Sequence, residues 1–154
     1  MSHYDPSNTD LDPDLLRIAA HEAGHAIVGV LNGGEVHEIK IYPASEGYAG
    51  VTRIKFADEL LNELLIGLCA GHEAETLWSM RHLGYSRSKA FRSTKDGCHT
   101  DMALVRKYRR RDDNALTETA ARGRAHSLLI QHWPRVERLT DRLACARRLT
   151  TAGV

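Results

Sequence analysis

The sequence has no apolar run approaching the ~20 residues needed to cross a bilayer. Its longest, residues 64–70, is broken by Gly67, so no membrane partner is expected. It has no excess of one charge: 21 basic residues stand against 20 acidic ones, a net charge of +1. Bulk attraction to nucleic acid is therefore not expected. It has no cysteine framework either. Cys69, Cys98 and Cys145 are odd in number and form no CxxC pair, which argues for free thiols in a reducing, cytoplasmic setting. The first residues are acidic and polar, without the positive and apolar stretches of a secretion leader. No GxxxxGK[ST] loop occurs, so no ATPase domain is expected. What is present is ordinary: 42% hydrophobic and 27% charged residues, a balance that excludes a disordered or fibrous chain. At 154 residues one domain with a proper core is expected.

Residues 1–11 read as a flexible tail and 12–150 as a single domain. Asp12 and Pro13 suit the N-cap and first position of a helix. Leu15, Ile18, Ala19, Glu22, Ala26 and Val30 recur on one face of it, and Asn32-Gly33-Gly34 ends it. Residues 36–56 alternate at both ends, at Ile39 and Ile41 and again at Ile54 and Phe56. This predicts a β-hairpin with residues 43–50 as its turn and Pro43 at a strand end or edge. A second helix is expected over residues 58–80, where Gly67 and Gly71 lie one turn apart and would let Gly24 of the first helix approach closely. Residues 81–98 read as a loop. Further helices are expected over 100–111, 116–132 and from Pro134 onward, the last with Val136, Leu139, Leu143 and Ala146 on one face. The fold class is mainly α with a small β-hairpin or sheet, an α+β domain.

The chemistry is carried by His21-Glu22-Ala23-Gly24-His25, an HExxH motif within the first helix. Residues four apart point to one side of a helix. Two imidazoles so placed can grip one Zn2+, and Glu22 lies at the edge of that face, where it can take a proton from a water the metal activates. Buried without a partner, these three polar side chains would be costly; a metal is one such partner, and mutual hydrogen bonding in the core is the plainer alternative.

Residues 21–31 also resemble the peptidase domain of the FtsH-type AAA proteases. Gly33-Gly34 followed by residues 36–43 resembles that family's continuation, residues 47–52 its hairpin return, and Ala70-Gly71-His72-Glu73-Ala74-Glu75 its second-helix stretch. The likeness spans roughly residues 14–145, of which only HEAGH is highly specific. It implies a zincin-like helical zinc metallopeptidase domain standing without its usual motor and membrane segments. In that family the third ligand is an aspartate at the start of a later helix. Asp101, in Gly97-Cys98-His99-Thr100-Asp101, fits that position, although Thr100 stands where the family usually has asparagine.

Other third ligands are open. Glu75 or Glu73 would follow the thermolysin pattern, in which a second-helix glutamate closes the site. Cys98 and His99 are chemically able, while Asp96 reads as a loop residue. If Asp101 is the ligand, Glu75 becomes a candidate to orient a metal-binding histidine from behind. An edge strand of the hairpin at 36–56 could hold an extended peptide by backbone pairing. The cations Arg81, Arg87, Lys89, Arg92 and Lys95 could gate a cleft or meet an acidic partner, or simply be solvated, as could the cluster from Arg106 to Arg111. The last helix's stripe is core or an oligomer contact; the resembled family forms hexameric rings. Three functions compete: an active zinc endopeptidase, a metal-binding but non-hydrolytic adaptor or regulator of a partner ATPase-protease, and a regulatory protease that cleaves one repressor. Retention of Glu22 favours hydrolysis, because binding alone needs only the histidines.

Overall fold

A computed structural model describes residues 11–150; the expected tail falls almost wholly outside them. The elements follow in the order α1 (Pro13–Leu31), β1 (Glu35–Ala44), β2 (Gly47–Lys55), α2 (Leu61–Leu83), α3 (Arg87–Ser93), a 3-10 turn (Lys95–Cys98), α4 (His99–Arg109), α5 (Glu118–Gln131), α6 (Trp133–Ala146) and β3 (Arg148–Thr150). This is the mainly helical α+β domain expected, with a three-stranded antiparallel sheet of order β2-β1-β3. Among the described residues no helix is long and apolar enough to cross a membrane.

Helix α1 is the axis of the molecule. The Asp12 carboxylate accepts the Asp14 N–H at 2.8 Å and Pro13 opens the first turn, as the capping pattern requires. Residues 19–29 are buried throughout, because α2, α5, α6 and the sheet all pack around them. Small side chains make this possible: Ala19, Ala20, Ala23 and Ala26 are wholly enclosed. At Gly24 the two long helices nearly touch. A β-carbon there would fall 2.4 Å from the Ala74 Cβ and 2.7 Å from the Ala70 carbonyl oxygen. Gly24 thus meets alanines of α2, not Gly67 and Gly71 as the spacing suggested. Those two glycines face Phe56 and the histidine pair instead.

The hairpin is tighter than expected. Its strands pair from Glu35 with Lys55 to Ala44 with Gly47, so only Ser45 and Glu46 form the turn. Gly47 at φ +111° takes a backbone conformation closed to most L-residues. Pro43 lies in β1 next to its end, where a missing N–H costs little. Val36, Ile39 and Ile41 turn into the core. Strand β3 was not foreseen, since three residues carry too little pattern. It follows a left-handed residue, Arg147 at φ 64°, and pairs with Glu38–Lys40. β1 is therefore the central strand, and β2 and β3 are the two edges of the sheet.

The segment 81–98 is not a plain loop. The second helix persists to Leu83 and stops at Gly84 in the left-handed conformation. Ser86 then caps α3 by accepting the Lys89 N–H at 3.2 Å, a local signal the cation-rich composition concealed. The cations Arg81, Arg87, Lys89, Arg92 and Lys95 are all exposed. In α6, Val136, Leu139 and Leu143 are core, while Ala144 takes the buried place expected of Ala146.

Candidate metal centre

Helix geometry brings His21 and His25 together on α1, and packing brings Asp101 to them from the first turn of α4. His21 Nε2 and His25 Nε2 are 3.1 Å apart. Asp101 Oδ2 lies 3.1 Å from the first and 3.0 Å from the second. The other ring nitrogens are committed. His21 Nδ1 faces Glu75 Oε2 at 2.8 Å, and His25 Nδ1 faces the Gly67 carbonyl oxygen at 2.8 Å. Both partners are acceptors, so each Nδ1 carries the proton and each Nε2 offers a lone pair to the shared space. Three electron-pair donors converge on one point. A tetrahedral ion with bonds of ~2.0–2.1 Å would space its ligand atoms ~3.3–3.4 Å apart, close to the spacing found. The donor set fits a small divalent cation, and these three are the one such group of His, Cys, Asp or Glu among the described residues.

Titration behaviour agrees with the crowding. Burial pulls the His21 pKa down, but hydrogen bonds to Asp101 and Glu75 and the charge of Glu22 outweigh it, leaving the imidazole well above its ordinary value of 6.5. His25 behaves alike: burial opposes, the charge and hydrogen bond of Asp101 prevail, and its pKa is raised. Burial would raise the Asp101 carboxyl, yet the charge of His25 and the hydrogen bonds from both imidazoles hold it well below the usual carboxylate range. Without a metal, protons occupy the place of the cation.

Glu22 is buried beside the triad, 5% exposed. The Thr52 hydroxyl donates to its Oε2, and also lies 3.3 Å from its backbone carbonyl oxygen. A β-carbon on Gly50 would fall 2.7 Å from Glu22 Cγ, so β2 runs directly against the glutamate. A cleft of about 520 Å3 opens over these groups. Its polar end holds His21, Glu22, His25, Thr52 and Asp101, and its apolar flank is formed by Ile54, Phe56, Leu64, Leu68 and Leu104.

The other candidates lie apart. Glu73 is enclosed by Arg122 at 3.1 Å and Arg87 at 3.0 Å, in an ion-pair cluster that joins α2 to α3 and α5. It brings no oxygen to the triad, because the α2 residues at 73 and 75 project to different sides of that helix. His99 is exposed and pairs with Asp96 at 3.4 Å, while the Cys98 thiol donates to the Lys95 carbonyl at 3.0 Å. Burial also raises the thiol pKa values, that of Cys69 to about 12 and that of Cys98 less far, so neither is a ready thiolate. Two contributors escaped the sequence. Thr52 could be found only from the strand register. Arg17 carried a signal, since it precedes His21 by one turn; its guanidinium bridges Asp14 and Glu75.

A helix-borne histidine pair, a carboxylate delivered from a distant helix and a buried glutamate packed against β2 define a metallopeptidase-type domain. The chain belongs to the Peptidase M50B-like family, whose model matches residues 12–92, just over half its length. That match takes in both histidines, Glu22, the hairpin and Glu75, and stops short of Asp101. No curated protein sequence matches the chain significantly.

Proposed function

We propose that this protein is a zinc-dependent endopeptidase, with the metal held by His21, His25 and Asp101, acting on peptide or protein substrates in a reducing, cytoplasmic compartment. The convergence of three donor atoms within 3.1 Å of one another, beside a buried glutamate, carries this reading. The resemblance of residues 21–31 to FtsH-type peptidase domains supports it. Zinc bound there would supply Lewis acidity, lowering the pKa of water towards ~7 and polarising the scissile carbonyl. Glu22 takes the proton of the attacking water and passes it to the leaving nitrogen. The Thr52 hydroxyl engages Oε2 and so leaves Oε1 to receive that proton. The substrate lies extended along β2, an edge strand whose Gly50 and Thr52 pack against Glu22; backbone pairing of this kind is indifferent to sequence. An apolar side chain of the substrate is accommodated by Ile54, Phe56, Leu64, Leu68 and Leu104. Apart from the ligating imidazoles, no cation occurs among the described lining residues to hold a free carboxylate terminus, which weighs against carboxypeptidase action.

The test combines zinc analysis with cleavage of a mixed peptide library. Wild type is expected to hold about one zinc per chain and to cleave. Glu22→Gln should keep the zinc and lose ~10²–10⁴-fold in rate, and Asp101→Ala should lose the zinc. Wild type that binds zinc but cleaves nothing would replace the enzyme with a metal-binding regulator. Undiminished cleavage by Glu22→Gln would remove the proposed base.

A further inference from the structure

The cluster behind His21 extends beyond the expected carboxylate. Glu75 is fully buried, and its two oxygens are used separately: Oε2 receives His21 Nδ1 at 2.8 Å, and Oε1 receives the Arg17 guanidinium. Arg17 is held in turn by the Asp14 carboxylate through its other terminal nitrogen. A buried carboxylate facing only a neutral ring N–H would be poorly compensated. It would also be free to rotate, since a single hydrogen bond leaves its plane undefined. The guanidinium answers both needs, because its planar fork engages an oxygen directionally and carries a permanent charge. One helical turn separates Arg17 from His21, so the same α1 surface that presents the imidazole also presents the group that fixes its partner. Asp14 lies against the hairpin tip as well: a β-carbon at Gly47 would fall 2.3 Å from its Oδ2.

We infer that Arg17 is a positioning residue for the metal centre, acting through Glu75 to lock the tautomer and ring orientation of His21. The inference rests on the metal-centre reading of His21, His25 and Asp101. Arg17 touches neither substrate nor metal; it sets how firmly the His21 Nε2 lone pair is aimed and how strongly it donates.

The experiment measures zinc affinity of the metal-stripped full chain by competition with a chromophoric chelator, and the visible absorption of the Co2+-loaded protein. Arg17→Met is expected to weaken zinc binding ~10–100-fold, the range found when partners behind a ligating histidine are removed, and to change the Co2+ bands. Arg17→Lys should recover part of the loss, because an ammonium supplies the charge without the fork. Arg17→Met combined with Glu75→Gln should be no weaker than Glu75→Gln alone, since both act along one path. Zinc affinity within about twofold of wild type and unchanged Co2+ bands in Arg17→Met would overturn the inference, even if that variant melts earlier. Should Arg17→Met fail to fold, Arg17→Gln decides by the same two readouts: loss supports the inference, wild-type values overturn it. Wild type that binds no zinc would instead sink the metal-centre reading, and this inference with it.

Discussion

Replacing Gly71 by alanine places a methyl carbon 2.3 Å from His25 Nε2 and 2.6 Å from His21 Nε2. Ordinary carbon–nitrogen contact is ~3.5 Å, so both rings must retreat by about 1 Å, or the helices part. Either movement destroys a donor triangle whose sides are 3.0–3.1 Å. Two terms act on the metal-free protein. Alanine in a helix interior gains ~1 kcal/mol over glycine, and forcing an extra carbon into a packed site costs ~1–3 kcal/mol. The metal-free variant should therefore fold, at worst ~2 kcal/mol less stable. The metal-bound state has no such compensation. A displacement of this size at two ligands should weaken zinc at least ~100-fold, about 2.7 kcal/mol. Thermal melts with chelator and with zinc at ~100 times the wild-type dissociation constant separate the two effects. Wild type should gain ~2.7 kcal/mol from zinc, a rise of roughly 5–10 °C for a chain of this size; Gly71→Ala should gain almost nothing. An equal zinc-induced rise in both proteins would refute the reasoning and place the metal elsewhere.

Acidity should act oppositely on the two states of the protein. The folded pKa values of His21 and His25 are raised above 6.5, so their contribution to metal-free stability is complete below that value and is lost as pH rises through the raised pKa values. Zinc needs neutral imidazoles, so its stabilisation should grow over the same window; melts between pH 5.5 and 8.5, with and without chelator, would show the two curves diverging, and a zinc-induced shift independent of pH would count against these ligands. Glu73→Ala should destabilise by ~3 kcal/mol, roughly 6–12 °C, because it leaves the Arg122 guanidinium, 14% exposed, without its carboxylate. Zinc affinity should not change in that variant, and a loss of affinity comparable to that of Asp101→Ala would show that Glu73 belongs to the centre after all.

Much of the scaffold was legible because it is written in short-range pattern. The Asp12-Pro13 start, the glycine stop and the apolar face of α1 are interactions within a turn or two, and the structure reproduces them closely. The weakest expectations lay where local signal is thin or misleading. The hairpin turn was drawn too wide because Gly47 and Gly50 look like turn residues. Gly47 does serve the turn, while Gly50 lies within β2 because Glu22 occupies the space its side chain would need. Helix α3 was hidden by a composition typical of loops, and β3 was too short to announce itself.

By itself, then, the sequence determined one half of the site. Covalent order and 3.6-residue periodicity suffice to put His21, His25 and Glu22 on one stretch of helix, and Arg17 one turn before them. Only the tertiary structure decided the rest. Glu75 reaches His21 across 54 residues of chain and Asp101 across 80, and Thr52 reaches Glu22 across 30. Contacts at such separations depend on how closely α1 and α2 can approach, on which side of α2 each carboxylate projects and on where α4 begins. Those distances are set by the small side chains at Gly24, Ala70, Gly71 and Ala74, through packing that no local pattern encodes.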